Sequence, residues 1–280
     1  MKSILAILFL FSSMVAQVYT QADVDVCESK FQLGISQNLT EEDIHTIIVE
    51  IAKSFLGVDY EAHSLESEGD EKLSIHLTGL DCYTFLESSL VISRLIKSER
   101  MTFDDYQSEL QNVRYRNGKI AGYPSRLHYF SDWIFEMDSR GIAKDVTEDL
   151  GGECYSNKVD FMSTHPDSYK QLKNNSEIVY FIAAIEKDIS ARDYFFIPQE
   201  KIEKYEKGIM SGDIIGITTN INGLDIAHTG IAIRMNDGRI HLLHAPNVGK
   251  KVQITEASLA EYVKRNKIQT GIMVSRPLEP

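Results

Sequence analysis

Apolar residues recur at helical spacing through roughly the first two thirds of the chain and in strand-like runs through the rest. In residues 41–56, Ile44, Ile47, Ile48, Ile51 and Phe55 form one stripe. Thr40 is placed to cap that helix, Glu41, Glu42 and Asp43 occupy its first turn, and Gly57 stops it. Residues 72–77 alternate as a short strand. A helix is predicted over residues 82–97, with Phe85, Leu86, Ser89, Leu90, Ser93 and Ile96 on one face. Thr102 caps another through about Val113. Residues 125–139 read as an amphipathic helix carrying the only tryptophan, Trp133, with Gly141 after its end.

Beyond about Lys207 the rhythm changes. Residues 213–218 and 229–235 are rich in Ile and Thr, with a turn at Asn220-Ile221-Asn222-Gly223 between them. Asn236-Asp237-Gly238 is a hairpin signal that leads into residues 240–245. Residues 251–254 and 271–275 add two strands around a helix at 256–265. Helices first and antiparallel strands later predict an α+β domain rather than a wound α/β sheet.

Composition sharpens this only in part. The 280 residues are 43% hydrophobic and 25% charged, ordinary values for a globular chain. A net charge of -12 argues against nucleic acid and anionic membranes as partners. The start is more specific: Lys2, an apolar run from Ile4 to Phe11, then small and polar residues to Ala16, the order of a secretory signal peptide. Residues 1–22 are therefore expected to be a leader cut after Ala16 or Ala22, with 23–280 as a single domain. The run is too short to span a bilayer, and no later stretch is long enough, so an exported protein without stable membrane insertion is expected, periplasmic or extracellular. Outside the cytosol cysteines tend to pair. Of Cys27, Cys82 and Cys154, the pairing the sequence allows is Cys27 with Cys154. Oligomeric state is left open.

Cys82 stands apart, in Gly79-Leu80-Asp81-Cys82-Tyr83-Thr84 at the start of an apolar helix. A buried structural cysteine is the alternative. A helix N-terminus lowers a thiol pKa from about 8.5 toward neutrality and offers unpaired N–H groups to an oxyanion. Asp81 is placed to cap the helix, and it can also touch substrate. A cysteine nucleophile needs a base, and the base an orienting group. Among the eight histidines, His45 falls on a solvated helix face, His63 and His165 in polar loops, and His76 on a short strand. His228 opens one strand and His244 ends the next, and the Asn-Asp-Gly turn brings the two to the same end of a hairpin. His241 turns to the opposite face and reads as structural. The pair lacks a third ligand at metal-site spacing, so no metal and no cofactor are expected.

These strings, with Gly212-Asp213-Ile214-Ile215 entering a strand, His-x-Gly-Ile at 228–231 and His-Ala at 244–245, resemble the NlpC-type papain-like cysteine hydrolases of bacterial peptidoglycan. The segment Pro124-Ser125-Arg126-Leu127-His128-Tyr129-Phe130-Ser131-Asp132-Trp133 and the long helical first half are similar to their N-acetylmuramoyl-L-alanine amidase-like branch. The resemblance covers about Thr40 to the C-terminus. It implies a papain-like fold, peptidoglycan fragments (muropeptides) as substrate and a triad of Cys82, His228 and His244, although the 228-to-244 spacing exceeds that of commoner relatives. Tyr129, Phe130, Trp133 and Ile134 fit a helix core. Arg126 and His128 at its start, with Tyr115 and Tyr123 around the Arg116-Asn117-Gly118 turn, are candidate contacts for a glycan bearing carboxylates.

Overall fold

A computed structural model describes residues 17–66 and 69–280. The apolar run from Ile4 to Phe11, and Ala16 after it, lie outside them. Strand β1 (Gln17–Val18) pairs in parallel with β2 (Leu73–Ser74), and between them come helices α1 (Gln21–Ser36) and α2 (Ile44–Lys53). Helices α3 (Cys82–Lys97), α4 (Phe103–Arg114) and α5 (Phe130–Ser139) follow. Then come β3 (Ala143–Asp145), β4 (Glu153–Cys154), α6 (Phe161–Thr164), α7 (Ser176–Ser190), β5 (Phe195–Pro198) and α8 (Ile202–Tyr205). The chain closes with β6 (Ile214–Thr219), β7 (Ile226–Arg234), β8 (Ile240–His244), β9 (Gln253–Ile254), α9 (Leu259–Lys264) and β10 (Gln269–Pro277).

The α+β expectation holds. The main sheet runs β4-β5-β10-β6-β7-β8-β9, with β3 also on β10, and every described pairing in it is antiparallel. Both its faces are covered. Ile231, Ile233, Leu243 and Met273 pack with the helices α1 to α5. Ala232, Leu242, Ile272 and Val274 face the other way, against Leu259 and Val263 of α9. This period-two division explains why the strands read as near-continuous apolar runs.

Several boundaries differ from the sequence reading. Helix α1 was not anticipated: its buried positions Asp23, Cys27, Phe31 and Gly34 keep helical spacing but mix charge, thiol, ring and glycine, so hydropathy shows no stripe. The helix placed at 41–56 starts at Ile44 with Asp43, not Thr40, as cap. The helix placed at 125–139 starts at Phe130, because Tyr123–Ser125 forms a separate 3-10 turn. Cys27 is buried in α1 and Cys154 exposed on β4, and both thiols are free, so the Cys27–Cys154 pairing is not formed. No described helix is long and apolar enough to cross a membrane.

Candidate active site

Helix α3 begins at Cys82, as its sequence requires. The Asp81 carboxylate accepts from the N–H groups of Tyr83 and Thr84 at 3.0 and 2.7 Å, and the Thr84 hydroxyl accepts from the Asp81 N–H at 2.9 Å. This reciprocal cap fixes the helix start and with it the thiol. Leu80 and Phe85 on either side are fully buried. The backbone N–H groups of Thr229, Cys82 and Tyr83 favour the charged form of the thiol.

Thr229 follows His228 on β7, the strand against which α3 packs. The β6–β7 register shifts between Ile217 and Thr218, opposite His228 and Ile226, so Ala227 is the extra residue of a bulge that turns the strand at the histidine. His228 therefore sits inside β7 rather than at its opening. Its Nε2 lies 2.7 Å from Nδ1 of His244, with the rings edge-on at 4.9 Å. The hairpin has thus brought the two imidazoles together on one face. Gly230 makes room for this, since a methyl group there would lie 2.8 Å from the Leu243 carbonyl and 2.9 Å from the His244 Cβ. His241 stays apart, bonded to the Thr255 carbonyl and Asp237.

The electrostatics overturn one expectation. Burial pushes the Cys82 thiol up to about 12, and the Asp81 charge adds to this, against the pull of the three N–H groups. The expected lowering at a helix N-terminus is therefore outweighed: desolvation disfavours the thiolate more than the helix end favours it. Burial also pushes His228 down to about 4, and burial with the neighbouring His228 takes His244 to about 3. The resting site is a neutral thiol beside two neutral imidazoles.

Two tyrosines that sequence reasoning missed complete the surroundings. Burial raises the phenols of Tyr60 and Tyr262, and in both the proximity of Cys82 adds to the rise. Tyr262 stands edge-on to His244 at 5.4 Å. Tyr60 is carried past the nucleophile by a strap whose Asp59 bridges to Gly79 and Lys251. Only Asp59 and Tyr60, a polar-aromatic pair after Gly57, marked the position in sequence.

A depression of about 250 Å³ is lined by Asp81 and Tyr83, the chain neighbours of Cys82, and by Glu87, Arg126 and His128 among others, while Cys82 itself and the two histidines of the hairpin do not line it. The sequence-nominated contacts divide here. Asp81 and His128 line it, but Asp81 is engaged in the cap, and His128 Nε2 is 2.9 Å from the Tyr123 carbonyl. Burial, then the Arg126 charge, holds His128 down at about 3. Arg126 forms part of the wall, with its guanidinium already shared among the Leu65 carbonyl, Glu66 and Glu71 at 3.0, 3.0 and 3.3 Å. It builds the site rather than standing free for a substrate carboxylate. Tyr115 is buried, its hydroxyl donating to Glu71 at 2.8 Å, so it does not reach the cleft. Tyr123 is buried too, lies tilted against the His128 ring at 4.4 Å and faces a separate hollow with Glu71 and Lys72. Among the described residues, no three or more His, Cys, Asp or Glu side chains group as metal ligands.

The sequence profile of the AmiA-like family, described as N-acetylmuramoyl-L-alanine amidase-like, matches residues 50–272. A crystal structure of an N-acetylmuramoyl-L-alanine amidase from Bacteroides uniformis superposes with a TM-score of 0.79 at 36% identity, covering 84% of this chain and 99% of that one. A Bacteroides fragilis protein, provisionally named a xylanase, is 40% identical over 80% of this chain and 98% of its own, with a TM-score of 0.75. A Legionella pneumophila protein, LPG0564, shares the fold at 21% identity and a TM-score of 0.66, covering 92% of this chain and 95% of that one. No curated protein sequence matches significantly.

Proposed function

Because the chain belongs to the N-acetylmuramoyl-L-alanine amidase-like family, we propose that it hydrolyses the amide joining the lactyl group of N-acetylmuramic acid to L-alanine in peptidoglycan fragments. Cys82 is the nucleophile, His228 the base and His244 its orienter. The observation that carries this reading is the 2.7 Å bond between the imidazoles, on the strands against which the Cys82 helix packs. We assign the domain to the papain-like, NlpC-type class because a cysteine-bearing helix packs on an antiparallel sheet bearing the histidines, cysteine first in the chain. Peptidoglycan lies outside the cytosol, so an exported, periplasmic or extracellular protein fits the apolar segment at residues 4–11.

With Nε2 of His228 engaged by His244, Nδ1 is the nitrogen left for the thiol proton. His228 then carries its hydrogen on Nε2 and donates it to His244 Nδ1, which places the other proton on His244 Nε2. That nitrogen is buried and without a partner. As sulfur attacks the carbonyl carbon, the thiol proton moves to His228, and the N–H of Cys82 donates to the oxyanion. His228 next protonates the leaving alanine nitrogen as the C–N bond breaks. Water, deprotonated by His228, attacks the thioester, and the thiolate leaves to recover its proton.

Glycoside hydrolysis, by contrast, requires two carboxylates flanking the scissile bond. Here Asp81 caps α3, Glu87 pairs with Arg114 at 2.8 Å and Glu66 pairs with Arg126. A stem-peptide endopeptidase cutting after D-glutamate would use the same three residues, and a muropeptide-binding protein could keep the same cleft. Digestion of a defined muropeptide, read by mass spectrometry, separates these. The intact stem peptide freed from the sugar is the expected product, with Cys82→Ala inactive. A shortened disaccharide-dipeptide alone would establish the endopeptidase, and binding without cleavage would establish a binding protein.

A further inference from the structure

One buried titratable group close to the histidines has no part in the steps above. Asp225 lies three residues before His228 and is 2% exposed, and burial pushes its carboxyl up. Its two oxygens accept from the backbone N–H groups of Ser131 and Ile226, each at 2.7 Å. Among the described residues no cationic side chain pairs with it. A buried carboxylate without a counter-ion costs stability, and exceptions of this kind are expected at functional positions.

The two bonds join different parts of the fold. Ser131 lies in the first turn of α5, whose own N-cap residue, Tyr129, supplies no side-chain bond. Asp225 therefore caps that helix from 94 residues away, with its charge at the end where the dipole favours it. Arg126 and His128 stand just before the same helix end, so Asp225 ties the wall of the depression to the loop that enters β7. Ile226 is the first residue of β7 and directly precedes the bulge residue Ala227. A bulge leaves its extra residue unpaired and bends the strand, so the direction taken by His228 depends on what holds the chain ahead of it. That stretch is fastened residue by residue. The Gly223 carbonyl accepts from the N–H groups of Asp160 and Phe161 at 3.1 Å, the Leu224 carbonyl from the Asn157 side chain, and the Asp225 carbonyl from the Tyr155 hydroxyl at 2.9 Å. Asp225 is where this outer fastening meets α5.

We propose that Asp225 is a positioning residue for the base: by pinning the loop before the Ala227 bulge to the start of α5, it fixes the direction in which His228 meets His244. It acts through His228 and exchanges no proton in the reaction. The role rests on His228 being the base of the proposed hydrolysis.

Asp225→Asn tests this, because it keeps the shape and one acceptor but turns an amide NH2 toward one of the two backbone N–H groups. Long-range proton–nitrogen correlation spectra of histidine-labelled protein read the ring nitrogens of His228 and His244 without substrate. In the wild type the hydrogen of the pair should sit on His228 Nε2, and in Asp225→Asn the signals should move toward a mixture of tautomers. On a defined muropeptide, kcat should fall about tenfold with KM unchanged. Thr20→Ala, which removes the α1 cap, lowers stability away from the site and should leave kcat and the histidine signals as in the wild type. Tyr155→Phe loosens the same loop from its outer side, should move the same signals, and decides the matter if Asp225→Asn does not fold. Wild-type tautomers and kcat in the folded variant, or a loss of kcat no larger than that of Thr20→Ala, would overturn the proposal and leave Asp225 a helix cap alone. The histidine signals are read without turnover, so a protein that cuts a different bond, or none, would count against the amidase reading alone.

Discussion

Gly230 lies against His244, and the lack of a side chain at 230 is what lets the His244 ring meet His228. The close atoms include the Leu243 carbonyl, part of the sheet backbone, which cannot yield as a flexible side chain would. Gly230→Ala should displace the His244 ring by a few tenths of an ångström or more and lower kcat/KM on the order of 100-fold, with KM little changed. Steady-state kinetics on a defined muropeptide measure this. A variant with wild-type kcat would show that the imidazole pair is not needed in its present geometry.

The thiol offers a direct check on its protonation. With Cys82 pushed up to about 12, the thiolate fraction grows with pH across the whole neutral and alkaline range. Alkylation by iodoacetamide, in a Cys154→Ser background to remove the exposed thiol, should accelerate steadily from pH 7 to 10. A plateau reached by pH 7 would instead indicate a preformed thiolate–imidazolium pair.

Acid should destabilise the fold through the buried His244 and the half-buried His128 and His228. His128, His228 and His244 are held at about 3, 4 and 3, below the ordinary value of 6.5. Above about pH 6.5 both folded and unfolded states are neutral at these positions, and their contribution is fully present. Between about pH 6.5 and 4 the unfolded chain binds protons that the folded one does not, so stability falls as pH falls. Each pH unit of separation is worth about 1.4 kcal/mol per group. Chemical denaturation at pH 7 and pH 5 should show lower stability at pH 5, with the slope reduced in His128→Gln.

Arg126 tests structure against substrate contact. It is buried and ties Leu65, Glu66 and Glu71 to the start of the α5 segment. Arg126→Ala leaves buried carboxylates unpaired and should lower stability by about 3–5 kcal/mol. Thermal unfolding would register this. An unchanged Tm with a raised KM would mean that Arg126 reads the substrate after all.

The N-terminal boundary has a stability signature as well. Thr20 and Asp23 form a reciprocal cap on α1, and Val18 pairs with Ser74. A chain starting at Gln17 keeps both, whereas one starting at Asp23 loses them. The cap alone accounts for about 0.5–2 kcal/mol, so the shorter form should have the lower Tm. Equal unfolding curves for the two forms would refute this.

The sequence by itself determined what depends on neighbours along the chain. Asp81, Thr84 and the apolar spacing from Phe85 to Ile96 fix the start of α3 at Cys82, because a cap and its helix lie within one turn. The Asn-Asp-Gly turn sets the β7–β8 register and so brings His228 to His244. The cover for Tyr115 and Arg126 was not readable, because Glu66 and Glu71 arrive from some 45 to 60 residues away. Tyr60 and Tyr262 likewise reach Cys82 only through packing of distant segments. The thiol shows the division most plainly. Local sequence placed it at a helix end, which favours its charge, but the distant segments that pack around the half-buried thiol desolvate it, and that decided that it rests neutral.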